Sequence, residues 1–278
     1  MNITSTQRIL VVTPTLGDSP FLDYTVGSVA SQSADIHHVM AAPANKISEL
    51  QARFPHVQVC ADHGKTGGIY GALNAGLAAA TDHWDWFTYI NDDDALLPGF
   101  SAMQVREKAS RQAADVIYGD VELIDADGQR VSRITTERRP TWIPALLQQG
   151  ISPLIQQGML FRRAIVERLQ GFDTRYRLCA DLDFWLRAYA GGARFRAHRI
   201  PVAQFRLRAG QLSGNTSITE FEQSEIVARH LPRRVPSALR GLARLRYRWC
   251  NLPRYAARVW SRGFQTSYEL LGTGEVRR

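Results

Sequence analysis

Three consecutive carboxylates, Asp92-Asp93-Asp94, follow directly after the aromatic and aliphatic run at residues 86–90. Such a run is typical of a buried strand, so the acidic triplet is predicted to lie at the carboxyl end of that strand. Three like charges there repel one another, and a divalent cation would offset the repulsion because hard cations prefer carboxylate oxygens. A cation bound there could hold a diphosphate. The alternative is a solvated acidic turn closed by Pro98-Gly99, because turns favour aspartate.

The segments around this triplet alternate between strand and helix patterns. Residues 9–12 form a β-favouring run that ends at Thr13-Pro14-Thr15, and Ser19-Pro20 then supplies an N-cap followed by proline at the first helical position. The same alternation predicts further strands at 37–41, 57–60 and 86–90, and helices at 47–54 and 69–80. It indicates an α/β fold with a parallel, doubly wound sheet. Ligands bind such sheets at the carboxyl ends of the strands, where the acidic triplet lies.

The second half of the chain is less regular. A strand region at 115–125 leads into the hairpin turn Asp125-Ala126-Asp127-Gly128. We predict a helix over 142–147, a helix that begins near Asp181, and two β stretches at 194–200 and 202–207.

The composition is that of an ordinary globular protein. The 278 residues are 45% apolar and 22% charged, which allows one large domain or two closely packed halves. No stretch approaches the roughly 18–20 apolar residues of a membrane span, and residues 1–8 lack the apolar core of a signal peptide. Cys60, Cys179 and Cys250 show no CxxC spacing, which argues against a disulfide framework or a structural zinc site. We therefore expect a protein of the reducing cytoplasm.

Several motifs occur in order along the chain. They are Thr13-Pro14-Thr15, the stretch 62–76 with five glycines, Ile90-Asn91-Asp92-Asp93-Asp94, Tyr118-Gly119-Asp120, Gly171-Phe172-Asp173, the run 180–187 and the late loop 205–213. With these motifs in this order over roughly residues 8–215, the chain resembles the family 2 glycosyltransferases. The resemblance implies a GT-A fold, which is a Rossmann-like mixed sheet flanked by helices.

The resemblance also implies a reaction, the inverting transfer of a sugar from a nucleotide donor. The DxD motif of the family binds the donor diphosphate through Mg²⁺ or Mn²⁺, and here Asn91-Asp92-Asp93 matches it. Asp93 is therefore the expected metal ligand, with Asp94 as a further metal ligand and Asp92 as a donor contact. A bound cation would act as a Lewis acid on the leaving diphosphate.

The attacking sugar hydroxyl needs a positioned carboxylate to accept its proton. By resemblance this general base is Asp181, within Ala180-Asp181-Leu182-Asp183. Asp183 is the fallback base or a hydrogen-bonding partner of the acceptor. The alternative is that Asp181 is only a carboxylate at a helix N-terminus, where the helix dipole favours it.

The nucleoside is expected to bind at the loop after the first strand, through Thr13 and Pro14, and at Asp62, which closes the third strand. A carboxylate that accepts an imide N–H suits uracil or thymine, so we expect a donor of the UDP or dTDP type. Asp62 could equally be an ordinary strand-end turn residue.

The chain departs from the family pattern in places that bear on the diphosphate. Residues 40–44 lack the carboxylate that the family usually has there, and Arg208 stands where the late loop often has a histidine. Arg206 or Arg208 could instead clamp the diphosphate, because the guanidinium fork matches phosphate oxygens.

The C-terminal part of the chain is strongly basic. From Leu231 onward there are eleven arginines and two glutamates, a net charge of +9 (eleven minus two), whereas the whole chain carries +8. Arginine interleaves with Leu, Tyr and Trp over 239–260, which predicts an amphipathic helix. Such a helix suits an anionic membrane surface, but it could also pack on the globule with its arginines in water. We expect no nucleic-acid partner because no recognisable binding module accompanies the charge.

These patterns divide the chain into a nucleotide-sugar-binding half at 1–105, an acceptor-binding and catalytic half at 106–220, and a basic helical segment at 221–278. The expected protein is a hexosyltransferase that acts on a glycan or lipid-linked acceptor in bacterial surface polysaccharide synthesis, at the inner face of the plasma membrane. The alternative is a nucleotide-sugar-binding or nucleotidyltransferase-like protein on the same fold. Against a nucleotidyltransferase, no glycine-rich loop bearing lysine or arginine follows the first strand.

Overall fold

A computed structural model describes residues 7–62, 67–208, 211 and 216–256. The strands are β1 (Ile9–Pro14), β2 (Ile36–Ala42), β3 (Gln58–Ala61), β4 (Trp86–Tyr89), β5 (Ala95–Leu96), β6 (Val116–Ile124), β7 (Arg130–Ile134), β8 (Leu160–Arg162) and β9 (Phe195–Arg206). The α-helices are α1 (Leu22–Ala30), α2 (Ile47–Arg53), α3 (Gly68–Ala79), α4 (Gly99–Lys108), α5 (Ile143–Leu147), α6 (Arg163–Leu169), α7 (Ala180–Ala190), α8 (Thr216–His230) and α9 (Ser237–Cys250).

The described strands form one mixed sheet. Its order is β3-β2-β1-β4-β8-β6-β9-β5, and β7 also pairs with β6. Strands β1 to β4 run parallel, β8 runs antiparallel to both β4 and β6, and β9 runs parallel to β6. The carboxyl ends of β1, β3, β4, β6 and β9 therefore meet at one edge of the sheet. The predicted α/β class is confirmed, and the second half adds antiparallel strands to the doubly wound first half.

Hydrophobic layers cover both faces of this sheet. Along β1, Leu10 and Val12 pack into one layer and Ile9 and Val11 into the other, because successive side chains of a strand point to opposite faces. A sheet buried on both faces is a rigid platform for the loops at its carboxyl edge.

Two predicted elements differ from the structure for local reasons. Helix α1 begins at Leu22 and not at Pro20. The Ser19 hydroxyl accepts from the Phe21 N–H at 3.3 Å and donates to the backbone oxygen of Asp92 at 2.9 Å, which ties the start of the helix to the acidic turn. The stretches predicted at 194–200 and 202–207 form the single strand β9, whose register against β6 shifts beside Pro201. Helices α4, α6 and α8 were not predicted from the sequence patterns.

Helix α9 packs on the globule through one face. A small buried cluster joins it to α5: Ala145, Leu146, Ala243 and Tyr247. Just beyond the helix, the Asn251 side chain accepts from the Thr135 N–H at 2.9 Å and donates to the Thr135 oxygen at 3.0 Å. Arg258 and Trp260 of the predicted amphipathic helix lie outside the described residues. Within the part of the chain that the structure describes, no helix is long and apolar enough to cross a membrane.

The first two of the three segments predicted from the sequence share one continuous sheet. The boundaries at 105/106 and 220/221 fall within α4 and α8, and β9 of the second segment pairs with β5 of the first. We retain the three segments only as a proposed division of roles along the chain.

Candidate active site

The acidic triplet lies where β4 ends, at the carboxyl edge of the sheet. Thr15, from the loop after β1, donates its hydroxyl to Asp92 Oδ2 at 2.6 Å. Burial raises the pKa of the Asp92 carboxyl, and the Thr15 hydrogen bond opposes that shift. The triplet is thus tied to the first loop and is not a freely solvated turn.

Asp94 is fully buried and surrounded by hydrogen-bond donors. Its carboxylate accepts from the backbone N–H of Arg206 at 2.9 Å, from Gln157 Nε2 at 2.8 Å and from Asn91 Nδ2 at 3.4 Å. Burial and the nearby charge of Asp93 raise the pKa of Asp94 well above the usual value. Asp94 therefore anchors the end of β9 to the acidic turn.

Asp93 forms an ion pair with Arg208. Arg208 Nε donates to Asp93 Oδ2 at 2.7 Å; the Asp93 side chain is 7% exposed and the Arg208 side chain is 38% exposed. Gln211 Nε2 lies 3.4 Å from the same carboxylate oxygen. The middle carboxylate of the triplet is thus largely buried and already paired with a cationic side chain.

Arg206 is buried, and its Nε and Nη1 groups donate within the protein. Arg206 Nε donates to the backbone oxygen of Asp93 at 2.9 Å, and Nη1 donates to the oxygens of Asp125 and Ala126, each at 3.0 Å. Its guanidinium also lies 4.2 Å from the centroid of the Phe21 ring. These contacts assign Arg206 to holding the acidic turn against the β6–β7 hairpin, and they do not favour the predicted role as a diphosphate clamp.

Asp181 lies in the first turn of α7, as predicted. The Tyr70 hydroxyl, from α3, lies 3.1 Å from Asp181 Oδ1 and 2.9 Å from the Leu178 oxygen. Burial raises the pKa of the Asp181 carboxyl, while hydrogen bonds from the Leu182 N–H and the Tyr70 hydroxyl oppose the rise. A carboxylate with a raised pKa is a stronger base than an ordinary exposed aspartate.

Tyr89, the last residue of β4, connects Asp181 electrostatically to the acidic turn. Burial raises the pKa of Tyr89 well above its usual value, and the charges of Asp181 and Asp94 add to the effect. Both carboxylates therefore act on the same buried hydroxyl, although 87 residues separate them along the chain (181 minus 94). The Tyr89 ring centroid also lies 5.6 Å from that of Phe172, which lies 5.7 Å from that of Tyr70, the residue in contact with Asp181. The predicted base and the acidic triplet therefore lie in one region.

Glu222 of α8 holds the loop that leads into α7. Its carboxylate accepts three backbone N–H groups, from Arg177 at 2.7 Å and from Leu178 and Cys179 at 2.9 Å each. Because Asp181 follows this loop by two residues, Glu222 helps to fix the position of the candidate base. The sequence patterns gave no signal for this contact.

Two of the motifs quoted above contact each other beside this loop. Asn74 Nδ2 donates to the Phe172 oxygen at 2.9 Å, and Asn74 Oδ1 accepts from the Phe172 N–H at 2.8 Å. Gly171 has a positive φ of 84°, and a Cβ atom there would lie only 2.5 Å from Asn74 Oδ1. Glycine is therefore required next to Phe172, whose ring lies between the Tyr70 and Phe184 rings.

Asp183 lies inside the protein. Its carboxylate accepts from Arg187 Nε at 2.6 Å and contacts His230 Nε2 at 2.9 Å. With both oxygens engaged and the side chain 2% exposed, Asp183 has a structural role that joins α7 to α8. These contacts favour neither the fallback base nor the acceptor contact predicted for it.

The residues predicted to seat the nucleoside lie at the correct edge but differ in exposure. Thr13 is buried, and its hydroxyl contacts His38 Nε2 at 2.9 Å; burial lowers the pKa of His38 to about 3, so this imidazole is neutral. Pro14 ends β1 and is buried. Asp62 follows β3, and its N–H donates to the Ala42 oxygen at 2.8 Å. The glycine-rich loop at 63–66 lies outside the described residues.

Residues 10–170 match the family described as Glycosyl transferase family 2. The chain belongs to this family. The uncharacterized glycosyltransferase YwdF of Bacillus subtilis is 23% identical over 201 residues, which cover 70% of this chain and 72% of YwdF. The PGL/p-HBAD biosynthesis glycosyltransferase of Mycobacterium tuberculosis is 24% identical over 155 residues, or 55% of this chain. The chain spans only 56% of the length of that relative.

Solved structures share the fold of this glycosyltransferase. S. aureus TarS 1–349 in complex with UDP has a TM-score of 0.55 and 13% identity, covering 92% of this chain and 75% of the TarS chain. The mannosyltransferase PcManGT from Pyrobaculum calidifontis, solved with GDP-Man and Mn²⁺, has a TM-score of 0.53 and 16% identity, covering 98% and 80%. These similarities confirm the GT-A fold that the sequence resemblance implied.

In this glycosyltransferase the side chains around Asp93 and Asp94 do not fit a divalent cation. Asp94 is enclosed by three donors, and Oδ2 of Asp93 already accepts from Arg208 Nε at 2.7 Å. Among the described residues, no group of three or more His, Cys, Asp or Glu side chains could hold a metal ion. The surroundings of Asp93 and Asp94 therefore do not support the metal-ligand roles predicted for them.

The hydrogen bond between Tyr70 and Asp181 leads to a prediction about how kcat depends on pH. A base must be ionised, so with Asp181 as the predicted base we expect activity to fall as the pH drops through its pKa, which burial raises. Replacing Tyr70 by Phe removes a hydrogen bond that lowers this pKa, so we expect the acid limb of the kcat profile to move to higher pH. Tyr189→Phe removes a hydroxyl that donates to Pro140 and should leave the limb unmoved. An unshifted limb in Tyr70→Phe would show that Asp181 does not control it.

Proposed function

We propose that this family 2 glycosyltransferase moves a sugar, with inversion, from a nucleotide-sugar donor to a hydroxyl group of a glycan or lipid-linked acceptor. The observation that supports this most directly is the row of contacts from Asp181 to the end of β4. The Tyr70 hydroxyl lies 3.1 Å from Asp181, the Tyr70 and Phe172 ring centroids are 5.7 Å apart, and those of Phe172 and Tyr89 are 5.6 Å apart. A carboxylate base and a diphosphate-binding turn must lie close together for one sugar to reach both.

The proposed reaction proceeds in one displacement. The acceptor oxygen attacks the anomeric carbon, the bond from that carbon to the diphosphate oxygen breaks, and its electron pair leaves with the diphosphate. Asp181 accepts the acceptor proton as the new bond forms, and later releases it to solvent. Attack opposite the leaving group inverts the anomeric configuration.

The donor is proposed to bind at the carboxyl edge of the sheet. Asp62 and the loop at Thr13-Pro14-Thr15 would seat a nucleoside of the UDP or dTDP type, and Asp92 would lie beside the phosphates. TarS was solved with UDP and with UDP-GlcNAc, and PcManGT with GDP-Man, which supports a nucleotide sugar but leaves the base open. A relative named for PGL/p-HBAD biosynthesis supports an acceptor on a lipid or glycan, in bacterial surface synthesis.

The proposal is tested by identifying the donor and the product. Nucleotide sugars are screened by thermal shift with EDTA and with Mn²⁺. The one that stabilises the enzyme most is then incubated with the enzyme, and the products are analysed. A glycosyltransferase releases a nucleoside diphosphate, whereas a nucleotidyltransferase releases or consumes pyrophosphate. If a nucleotide sugar binds but no nucleoside diphosphate is released with any glycan or lipid-linked acceptor, the result would instead support the alternative of a nucleotide-sugar-binding protein.

We also propose that α9 holds the enzyme on an anionic membrane, at the cytoplasmic face. On the side of α9 turned away from Ala243 and Tyr247, large apolar side chains are exposed at intervals of three or four residues: Leu242, Leu245 and Trp249. Trp249 is 73% exposed and Leu245 is 66% exposed. From Leu231 to Ala256 the chain has seven arginines and no carboxylate, although one of them, Arg246, is paired with the buried Glu137. Anionic lipids complement both features.

Vesicle sedimentation checks this contact. The enzyme should bind vesicles of mixed phosphatidylcholine and phosphatidylglycerol, and bind phosphatidylcholine alone weakly, with salt reducing the binding. Replacing Leu245 and Trp249 by Ser should weaken binding at least about tenfold, because two large apolar side chains no longer enter the interface. Val105→Ser, at an exposed apolar residue of α4, is the control and should have no effect. Equal binding to neutral and anionic vesicles would contradict the proposal.

A further inference from the structure

We propose that Arg208 provides the positive charge opposite the donor diphosphate, so that transfer by this enzyme requires no divalent cation. The inference rests on the proposed function, and it assigns to one side chain the task that a metal ion was predicted to perform.

Arg208 lies near the acidic turn with its terminal nitrogens available to a ligand. Strand β9 runs parallel to β6, so Arg208, two residues beyond its end, lies at the same edge of the sheet as the acidic turn. Its Nε atom is used by Asp93 Oδ2 at 2.7 Å. Within the described residues, no acceptor contacts its two terminal nitrogens, and the side chain is 38% exposed. The planar fork therefore has two donor groups that can meet phosphate oxygens.

The backbone before Arg208 is held in place. The Arg206 N–H is bound by Asp94 and its guanidinium by the Asp93 oxygen, both in the buried part of the turn. The Arg206 side chain is buried and cannot turn outward without breaking its bonds to the backbone oxygens of Asp93, Asp125 and Ala126. Of the two arginines that could clamp a diphosphate, Arg208 is the one that can reach it.

The Asp93 carboxylate would be shared between Arg208 and any divalent cation that bound there. A divalent cation bound to Asp93 would share its carboxylate with a guanidinium, and the two positive groups would repel each other. The ion pair instead positions the guanidinium without a metal. When the bond from the anomeric carbon to the diphosphate oxygen breaks, the electron pair stays on that oxygen, and Arg208 stabilises the charge by hydrogen bonding without giving up a proton. Asp181 takes the proton of the acceptor, so the step is balanced.

Nucleotide binding tests this without relying on turnover. Calorimetric titrations with UDP, dTDP and GDP are run in EDTA and in Mn²⁺ for the wild-type enzyme and for Arg208→Ala, Arg208→Lys and Arg208→His. We expect one nucleoside diphosphate to bind the wild type with a Kd that differs less than about twofold between EDTA and Mn²⁺. Arg208→Ala should raise that Kd by about tenfold or more, because charge-assisted bonds are lost. Arg208→Lys, a point charge without the fork, should fall between the two.

Arg208→His restores the residue that the family often has and removes the permanent charge. In that variant, binding should improve with Mn²⁺ while the wild type stays indifferent to it. Arg199→Ala, an exposed arginine on the same strand, is the matched control and should bind like the wild type. Circular dichroism and thermal unfolding show whether Arg208→Ala is folded, and if it is not, the EDTA comparison on the wild type decides.

The outcomes separate the inference from the proposed function. If the wild type binds a nucleoside diphosphate only with Mn²⁺, or if folded Arg208→Ala binds as well as the wild type, the role of Arg208 is refuted and the glycosyltransfer proposal stands. If no nucleoside diphosphate binds with or without Mn²⁺, both fail. Binding in EDTA that is lost in Arg208→Ala supports both, and transfer that persists in EDTA extends the result to catalysis.

Discussion

Replacing Asp181 by Asn should lower kcat about 10²- to 10⁴-fold while leaving the Kd of the donor nucleotide within about twofold of the wild-type value. Asn has the same shape and can still accept the Tyr70 hydrogen bond, but it cannot take a proton from the acceptor hydroxyl. The loss should therefore appear in turnover and not in donor affinity. Single-turnover transfer assays and calorimetry on the same preparation measure the two quantities.

An exposed carboxylate provides the control for this substitution. Asp82, paired with Arg8 at 3.8 Å and 65% exposed, should tolerate Asn without loss of turnover. If Asp181→Asn kept more than about a tenth of the wild-type kcat, Asp181 would not be the base. A protein that only binds nucleotide sugars would show no transfer in either variant, so the pair also distinguishes the enzyme from the binding-protein alternative.

Replacing Glu222 by Ala should lower the free energy of unfolding by about 2–4 kcal/mol. The variant leaves the N–H groups of residues 177–179 without their acceptor, and part of this loop is buried. Because the loop leads into α7, kcat should fall as well, whereas the Kd of the donor nucleotide should hold. Urea unfolding and steady-state kinetics measure the two effects.

Glu220 lies on the same helix and is exposed, which makes Glu220→Ala a matched control. Its unfolding free energy should change by less than about 0.5 kcal/mol. Glu222→Gln keeps one acceptor oxygen and should fall between Glu222→Ala and the wild type. If Glu222→Ala were as stable and as active as Glu220→Ala, the loop would be held by other contacts.

The sequence predicted those parts of the fold that depend on neighbouring residues. The alternation of strands and helices through residue 90 is a local pattern of apolar spacing, and the elements appear within a few residues of the predicted ranges. The positions of the acidic turn at the end of β4 and of Asp181 at the start of α7 follow from the same patterns. Helix α8 was not predicted because its apolar residues, which include Ile226 and Val227, are few and are interspersed with charged residues.

The contacts that shape the site could not be predicted, because they join distant residues. Glu222 reaches a loop 43 to 45 residues away, and nothing in the residues around it marks that partner. Asp94 resembled a metal ligand in the sequence, yet its surroundings are set by Arg206 and Gln157, 112 and 63 residues away. Sequence patterns identified which side chains could take part in chemistry. Which of these side chains are buried and which remain accessible depends on contacts between distant residues.

The bond between Asp94 and the Arg206 N–H has a consequence for modularity. It spans 112 residues, and β9 must pair with β6 and β5 before it can form. A fragment that ended before β9 would leave a buried carboxylate without a principal donor and the long edge of β6 unpaired, which favours aggregation. The proposed donor-binding half, residues 1–105, is therefore not expected to fold when it is expressed alone or transferred to another enzyme. During synthesis, the pocket for the nucleotide cannot be completed until residue 206 has left the ribosome.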